Sequence, residues 1–332
     1  MKRRTFIASC ASGVIATTIP RALAQTPSSG TRAIAALNAA KQLQMSGDFN
    51  KLGSSLHSEA LLVEPNSLGP SVGRAAVVNT LQQNAKTLKL LYFYYRQPKS
   101  LVVGNAVIVI SNYEAGYDSG GQTIEDSGKS SNVVLLSPRS SQIALEVLVP
   151  NLYAGSYGAL GTALSPPHFG LYPLRALGAP PIADAPSAGG GENDVLYSEV
   201  RQINSAWVSG NANDLLRYGD TAGVFLIGDY SVFYITGADD VKKHFADFYK
   251  TSKVNFIHSV NPVVRIWGNS AAVYFDFDLD YTVNGTTRRS PGRGVYTFAR
   301  KVTGNKSWAM AACAASHLVS RTIGDPYPIP SA

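Results

Sequence analysis

Cysteine is almost missing from this chain. Of two in 332 residues, Cys10 lies in the first two dozen and Cys313 near the far end. If the leader is removed, one thiol remains; it closes no internal disulfide, and cysteine-built zinc clusters are excluded. Charge is also sparse, at 15% of residues, and no Lys/Arg run past residue 24 is longer than a pair such as Arg288-Arg289. The net charge of +7 includes Lys2, Arg3, Arg4 and Arg21, so the chain beyond residue 24 carries +3. Charge spread that thinly excludes a nucleic-acid footprint. Long apolar runs stop after residue 24, so no membrane span is expected once the leader is gone. The sequence has no serine–histidine–acid set, no His-x-x-x-His and no glycine loop that could cradle phosphate, and neither a cofactor nor a metal is expected.

What is present begins with that leader. Paired basic residues, Lys2-Arg3-Arg4, precede an apolar run from Phe6 to Ile19, and Ala22-Leu23-Ala24 offers small residues for cleavage before Gln25. Basic, apolar, then small-x-small is the order of an export peptide. It resembles the bacterial twin-arginine signals, which implies a periplasmic or secreted protein that crosses already folded. An exported chain with one thiol relies on its core, and domains of about 120 residues are large enough for that.

The rest of the chain repeats itself. At an offset of 164, Pro98 falls on Pro262, Gly104-Asn105 on Gly268-Asn269, Gly128-Lys129 on Gly292-Arg293 and Val77 on Val241. Self-similarity at a long fixed period means a tandem duplication. The organisation read from it is a leader over 1–24, a first domain over 30–150, a connector over 151–191, a second domain over 192–323 and a tail over 324–332. The connector is rich in proline and glycine and almost uncharged, a composition without a core of its own.

Each repeat reads as helices first and strands after. Leu196, Val200, Ile203 and Trp207 form the stripe of an amphipathic helix. Asp214 to Tyr218 reads as a short second helix, and Asp239 to Tyr249 as a third, with Thr236 as its cap. Strands are expected over 254–260, 263–267, 271–283, 294–300 and 307–316, with Asn284-Gly285 as a hairpin turn. In the first copy, helices over 34–45 and 75–87 precede strands from Leu88 to Val149. Helices ahead of an antiparallel meander give an α+β class, the sheet curled over the helices.

This order resembles the cone-shaped superfamily of nuclear transport factor 2, ketosteroid isomerase and the SnoaL-type cyclases. The residues that carry the likeness are Ser46-Gly47-Asp48 and Ser209-Gly210-Asn211 after the first helix, and the extended 61–65 and 224–230. Gly73-Arg74-Ala75 and Gly237-Ala238-Asp239 then open the third helix, and a last strand runs from Trp308 to Ser316. The resemblance implies two tandem cones, each with a pocket between helices and curved sheet. It places an isomerase-type general base at Val63-Glu64-Pro65, with Asp229 as the nearest equivalent in the second copy. Counting to the family's oxyanion donors gives Ala40 and Ile203 for one, and Ser131 and Val295 for the other. Alanines follow Trp308 where cyclase-like members carry histidine. The family's catalytic places therefore read as emptied in both copies.

Three local features remain. Phe275-Asp276-Phe277-Asp278-Leu279-Asp280-Tyr281 alternates acids with apolar residues, and the Asn284-Gly285 turn sets Asp280 opposite Arg289 and Asp276 opposite Arg293. A charge ladder across strands is favoured over a cation site. His258 shares a strand face with Val254, Phe256 and Val260, and Tyr94 is its counterpart; either a core or a pocket role stays open. The aromatic run Tyr92-Phe93-Tyr94-Tyr95 divides between two sheet faces. The favoured reading is an exported, non-catalytic protein that binds a small apolar or amphipathic ligand, with Glu64, Tyr94, Asp229 and His258 lining the pocket. The two repeats are expected to pair sheet to sheet within one chain, and a further homo-oligomer stays open. The other reading is a lyase, isomerase or cyclase with Glu64 or Asp229 as general base.

Overall fold

The structure is a computed structural model. It describes residues 27–64, 69–150, 182–216, 225–228, 234–300 and 308–317. The expected leader and tail, most of the connector and Asp229 lie outside the described residues. Helix α1 (Ser29–Ser46) opens where the Ser28 side chain accepts from Thr31 N. It closes at Gly47, whose φ of 76° lets the backbone turn left-handed and return its N–H to Gln44. Helix α2 (Phe49–Ser55) is capped by Asp48. Strands β1 (Leu56–Val63) and β2 (Ser71–Val72), helix α3 (Arg74–Thr87) and strands β3 (Lys89–Val103), β4 (Ala106–Ser119), β5 (Gln122–Leu136) and β6 (Ser141–Pro150) complete the first domain.

The second domain repeats this as α4 (Glu192–Ser209), α5 (Ala212–Leu216), β7 (Phe225–Gly228), β8 (Ile235–Thr236), α6 (Ala238–Thr251), β9 (Ser252–Trp267), β10 (Ser270–Val283), β11 (Thr286–Arg300) and β12 (Trp308–His317). The sheets have the orders β2-β1-β6-β5-β4-β3 and β8-β7-β12-β11-β10-β9. One junction in each, β1–β6 and β7–β12, is parallel, so neither sheet is antiparallel throughout. The long strand of each copy is a single bent element where two were expected in the second. Gln97 and Asn261, at φ 49° and 51°, take the kink ahead of Pro98 and Pro262, and the ladder shifts register beside both. Thr236 does not cap α6; Gly237 stands at that position without a side-chain cap bond.

Each cone has its own core: Leu37, Leu52, Leu81 and Val109 in the first, and Leu196, Ile203, Phe245 and Phe298 in the second. A further core lies between the sheets. Leu61, Ile108, Ile110, Val133 and Val147 of the first pack against Trp267, Tyr274, Ala311, Ala312 and Ala314 of the second. The alanines after Trp308 thus have a packing reason, since small side chains let the two sheets approach. The pairing is reciprocal at the turns. A Cβ on Gly104 would lie 2.5 Å from Asn269 Nδ2, and one on Gly268 would lie 3.6 Å from Asn105 Oδ1. Two copies meeting through the same patch is the geometry of a two-fold dimer, here within one chain. No helix among the described residues is long and apolar enough to cross a membrane.

Candidate ligand pocket

A cavity of about 250 Å3 opens inside the first cone. Its apolar wall comes from Phe49, Leu88, Leu90, Phe93 and Leu148, and its polar wall from Lys41, Glu64, Asn84, Tyr113, Tyr117 and Asp126. The sequence builds the polar wall from three elements. On α1, Ala33, Leu37, Ala40 and Lys41 fall on the buried stripe, so Lys41 is carried inward with its neighbours. On β4, alternation brings Tyr113 and Tyr117 to the same face as Val107 and Val109. Gly128 stands opposite Tyr113; a Cβ there would lie 2.7 Å from the tyrosine ring and 2.3 Å from Val149 O. Glycine is therefore what allows the ring to lie across β5. Glu64 comes just after β1, and α3 ends beside it.

These groups are bonded to one another. Asn84 Nδ2 donates to Glu64 Oε2 at 2.6 Å, and the Tyr113 hydroxyl donates to Asp126 Oδ2 at 2.9 Å. Lys41 Nζ lies 2.7 Å from Glu146 Oε1, with both side chains largely buried, and 4.6 Å from the centre of the Phe93 ring. The Tyr95 hydroxyl donates to the same Glu146 oxygen at 3.1 Å. Glu64 stands out for its proton affinity. Burial raises its carboxyl to about 7, and Glu146 pushes the same way, while Lys41 and the Asn84 bond pull it down. As a residue Glu64 is half-buried and lines the cavity, so a molecule in the cone could reach a group that exchanges protons near neutrality. The hydroxyls of Tyr113 and Tyr117 stay protonated, raised chiefly by burial and then by Asp126.

The second cone differs at the equivalent positions. Asn204 takes the place of Lys41, Phe248 that of Asn84, Phe277 that of Tyr113 and Cys313 that of Glu146. Tyr296 donates to Asn204 Oδ1 at 3.1 Å and pairs with Cys313 across the ladder. Burial pushes the Cys313 thiol up to about 12, which makes it an inert core group. Trp207, Phe245, Phe248 and Tyr249 pack edge to face and stacked beside it.

Several expectations change. The first cone is not bare of polar groups: Lys41, Glu64, Tyr113 and Asp126 line its cavity, and Glu146 pairs with Lys41. Counting along the sequence reached Ala40, one residue short of Lys41, and Ser131, which faces the other sheet where Asp126 faces the cone. Tyr94 is not a pocket residue, because it lies half-exposed on the outer face of β3. His258 is also on an outer face, where its Nδ1 donates to Ile182 O at 2.7 Å. Asp229 lies outside the described residues. Of the three that are described, Glu64 alone lines the cavity.

The acidic run keeps its register, with Asp276 opposite Arg293 and Asp280 opposite Arg289, but its side chains pair elsewhere. Arg289 grips Asp278 through Nε at 2.8 Å and through a second guanidinium nitrogen. Asp276 accepts from Tyr274 and Asn261, and burial raises its carboxyl. Asp280 accepts from Asn255 at 2.6 Å. The right-handed twist of the sheet puts diagonal neighbours within reach of a long arginine. No group of three or more metal-ligating side chains occurs among the described residues.

No family model matches the chain, and no curated protein matches it. Solved structures do match. A ketosteroid isomerase-like protein from Erwinia carotovora atroseptica is 14% identical, over 38% of this chain and 95% of that one, with a TM-score of 0.34. A nuclear transport factor 2-like superfamily protein from Salmonella enterica is 16% identical, over 40% and 94%, with a TM-score of 0.34. The β subunit of benzoate 1,2-dioxygenase from Burkholderia mallei is 12% identical, over 35% and 87%, with a TM-score of 0.32. Identities this low carry no activity from those proteins to this one. In fold, the chain resembles the nuclear transport factor 2-like and ketosteroid isomerase-like proteins, as two tandem domains.

Proposed function

We propose that this protein binds a small, mainly apolar molecule in its first cone, outside the cytoplasm, while the second cone serves as its built-in structural partner. The observation that carries the reading is the asymmetry between the cones. The cavity of about 250 Å3 in the first is walled by aliphatic and aromatic side chains with a few converging polar groups, and in the second the matching positions hold Phe248, Phe277 and Cys313. Ligand sites combine an apolar wall with few polar anchors, and this volume sits just under the roughly 300–1,000 Å3 typical of drug-sized ligands. A one- or two-ring molecule with a carbonyl or hydroxyl fits such a site, the anchors being Glu64 and the Tyr113–Asp126 pair. The leader read from the sequence supports the export.

The test is a thermal-shift screen of small cyclic ketones and phenols against the chain and its Ala85→Trp variant. Ala85 lines the cavity and is half-buried, so a larger side chain fills the site with little disturbance to the core. Compounds should raise the midpoint of the natural chain and leave the variant unmoved. Equal shifts in both would place binding elsewhere.

One observation favours a second reading, in which the bound molecule is also turned over. Glu64 holds its proton near pH 7 and has cavity access, as a general base for proton transfer needs. Under that reading, deuterium from solvent enters the α position of a bound cyclic ketone, and Glu64→Gln abolishes the exchange. Exchange at the same rate in the variant would refute it.

A further inference from the structure

The outer face of each sheet carries a second feature, built twice and used once in the described residues. In the second domain, Phe256 and His258 stand on β9 and Asp278 on β10, with Asp278 opposite His258 in the ladder. The Phe256 and His258 rings are 5.3 Å apart. Arg289 lies over the Phe256 ring at 5.1 Å and grips Asp278 with Nε and a second nitrogen. A piece of the connector is seated on this platform. Ile182 N–H donates to Asp278 Oδ2 at 3.1 Å, and Ile182 O accepts from His258 Nδ1 at 2.7 Å. Two residues on, Asp184 accepts from Ser259 N at 2.6 Å, and Ala185 N donates to Ser259 O at 2.9 Å. The platform thus reads the backbone of a passing segment, at the edge strand of its sheet.

The first domain has the same arrangement 164 residues earlier. Tyr92 and Tyr94 replace Phe256 and His258, and Glu114 replaces Asp278, opposite Tyr94 in the ladder. The two tyrosine rings are 5.5 Å apart and stacked. Arg96 lies over the Tyr94 ring at 4.7 Å and grips Glu114 through Nε at 2.9 Å and a terminal nitrogen at 2.7 Å. The arginine comes from a different strand position than Arg289; it grips the matching carboxylate, but it lies over Tyr94, the counterpart of His258, where Arg289 lies over Phe256, the counterpart of Tyr92. A hydroxyl donor and a carboxylate acceptor therefore stand where His258 and Asp278 take the Ile182 backbone. The difference lies in what covers them. The Arg289 and Asp278 side chains are 4% and 7% exposed, and those of Arg96 and Glu114 are 51% and 53%.

From this we infer that Tyr92, Tyr94, Arg96 and Glu114 form a docking platform for an extended peptide strand of another polypeptide, read through the backbone N–H and C=O of an apolar residue. The seated connector gives the chemistry of the occupant: its sequence there, Pro180 to Ala185, is mainly apolar, carries Asp184 as its one charge and sets a proline before the apolar residue. Strand addition at a sheet edge supplies affinity through main-chain bonds, and β3 is the edge of its sheet. The proposal does not depend on the cavity, which opens on the other face of this sheet.

The probe is a fluorescein-labelled peptide with the sequence of residues 178–188, titrated into the full chain and followed by anisotropy. Saturable binding is expected, weakened at least tenfold in Tyr94→Ala and in Glu114→Gln. Both substitutions are at exposed sites, so the fold should survive them. No binding, or binding that both variants retain, would overturn the inference. So would a dimer in light scattering that Tyr94→Ala dissociates, which would make a second copy the occupant. Protection of Tyr94 from hydroxyl-radical labelling in the lone monomer would also overturn it, since the chain would then cover its own platform.

Discussion

Replacing Glu64 by glutamine should stabilise the protein, and only above acidic pH. In the folded chain burial raises the carboxyl from 4.5 to about 7. Below pH 4.5 the folded and unfolded states both carry the proton, and the Glu64→Gln variant should match the natural chain in stability. Between pH 4.5 and 7 the folded state keeps a proton that the unfolded state has released, so stability falls as pH rises. Above pH 7 the loss is complete. Two and a half units correspond to about 3 kcal/mol, and cavity water reaching the half-buried residue lowers this towards ~2 kcal/mol. Glutamine can still accept from Asn84, so the bond within the wall is retained. Urea unfolding of both chains at pH 4 and pH 8 measures the effect: equal stability at pH 4, and Glu64→Gln more stable by about 2–3 kcal/mol at pH 8. A difference that does not change with pH would refute the reasoning, because it would mean that Glu64 titrates alike in both states.

Other expectations follow from the same packing. Lys41→Met strands Glu146 in the interior and should cost about 3–5 kcal/mol, read from urea midpoints, while Lys41→Met with Glu146→Leu should recover most of it. Tyr113→Phe removes one bond to Asp126 and should cost about 1 kcal/mol in the same assay. Gly128→Ala forces a Cβ to within 2.3 Å of Val149 O; a loss of about 2 kcal/mol or more in thermal unfolding is expected, whereas Gly120→Ala, with no atom within 4 Å, should lose only what its φ of 62° costs, about 1–2 kcal/mol. Ala312→Arg buries a charge between the sheets and should expose tyrosine and tryptophan of the inter-sheet core, seen as a red-shifted emission.

The duplication and the α+β order were legible because turn glycines and kink prolines are set by backbone geometry, which one sequence displays. The offset of 164 joins Gly73 to Gly237 and the β4–β5 hairpin to β10–β11, while Gly47 and Gly210 are one residue closer. The pocket was harder to read. Lys41 lies on an apolar stripe, where a lysine looks like a flank, and Asp126 needs the β5 register before its side can be known. A count that slips by an odd number of residues puts a side chain on the other face of a strand, and Ser131, five residues past Asp126, faces the other sheet for that reason. Tyr94 and His258 share faces with apolar neighbours, and only the sheet's curvature tells which face is the cone. The alanines after Trp308 had two explanations in sequence, an emptied site or a packed one, and the sheet-to-sheet core supplies the second.

The most direct test of the first cone as a ligand site is native mass spectrometry of the gently purified chain beside its Ala85→Trp variant. Extra mass on the natural chain that leaves on denaturation, and its loss from the variant, is the predicted result. The bare chain mass for the natural protein under conditions that preserve the fold, or the same extra mass on both, would contradict it.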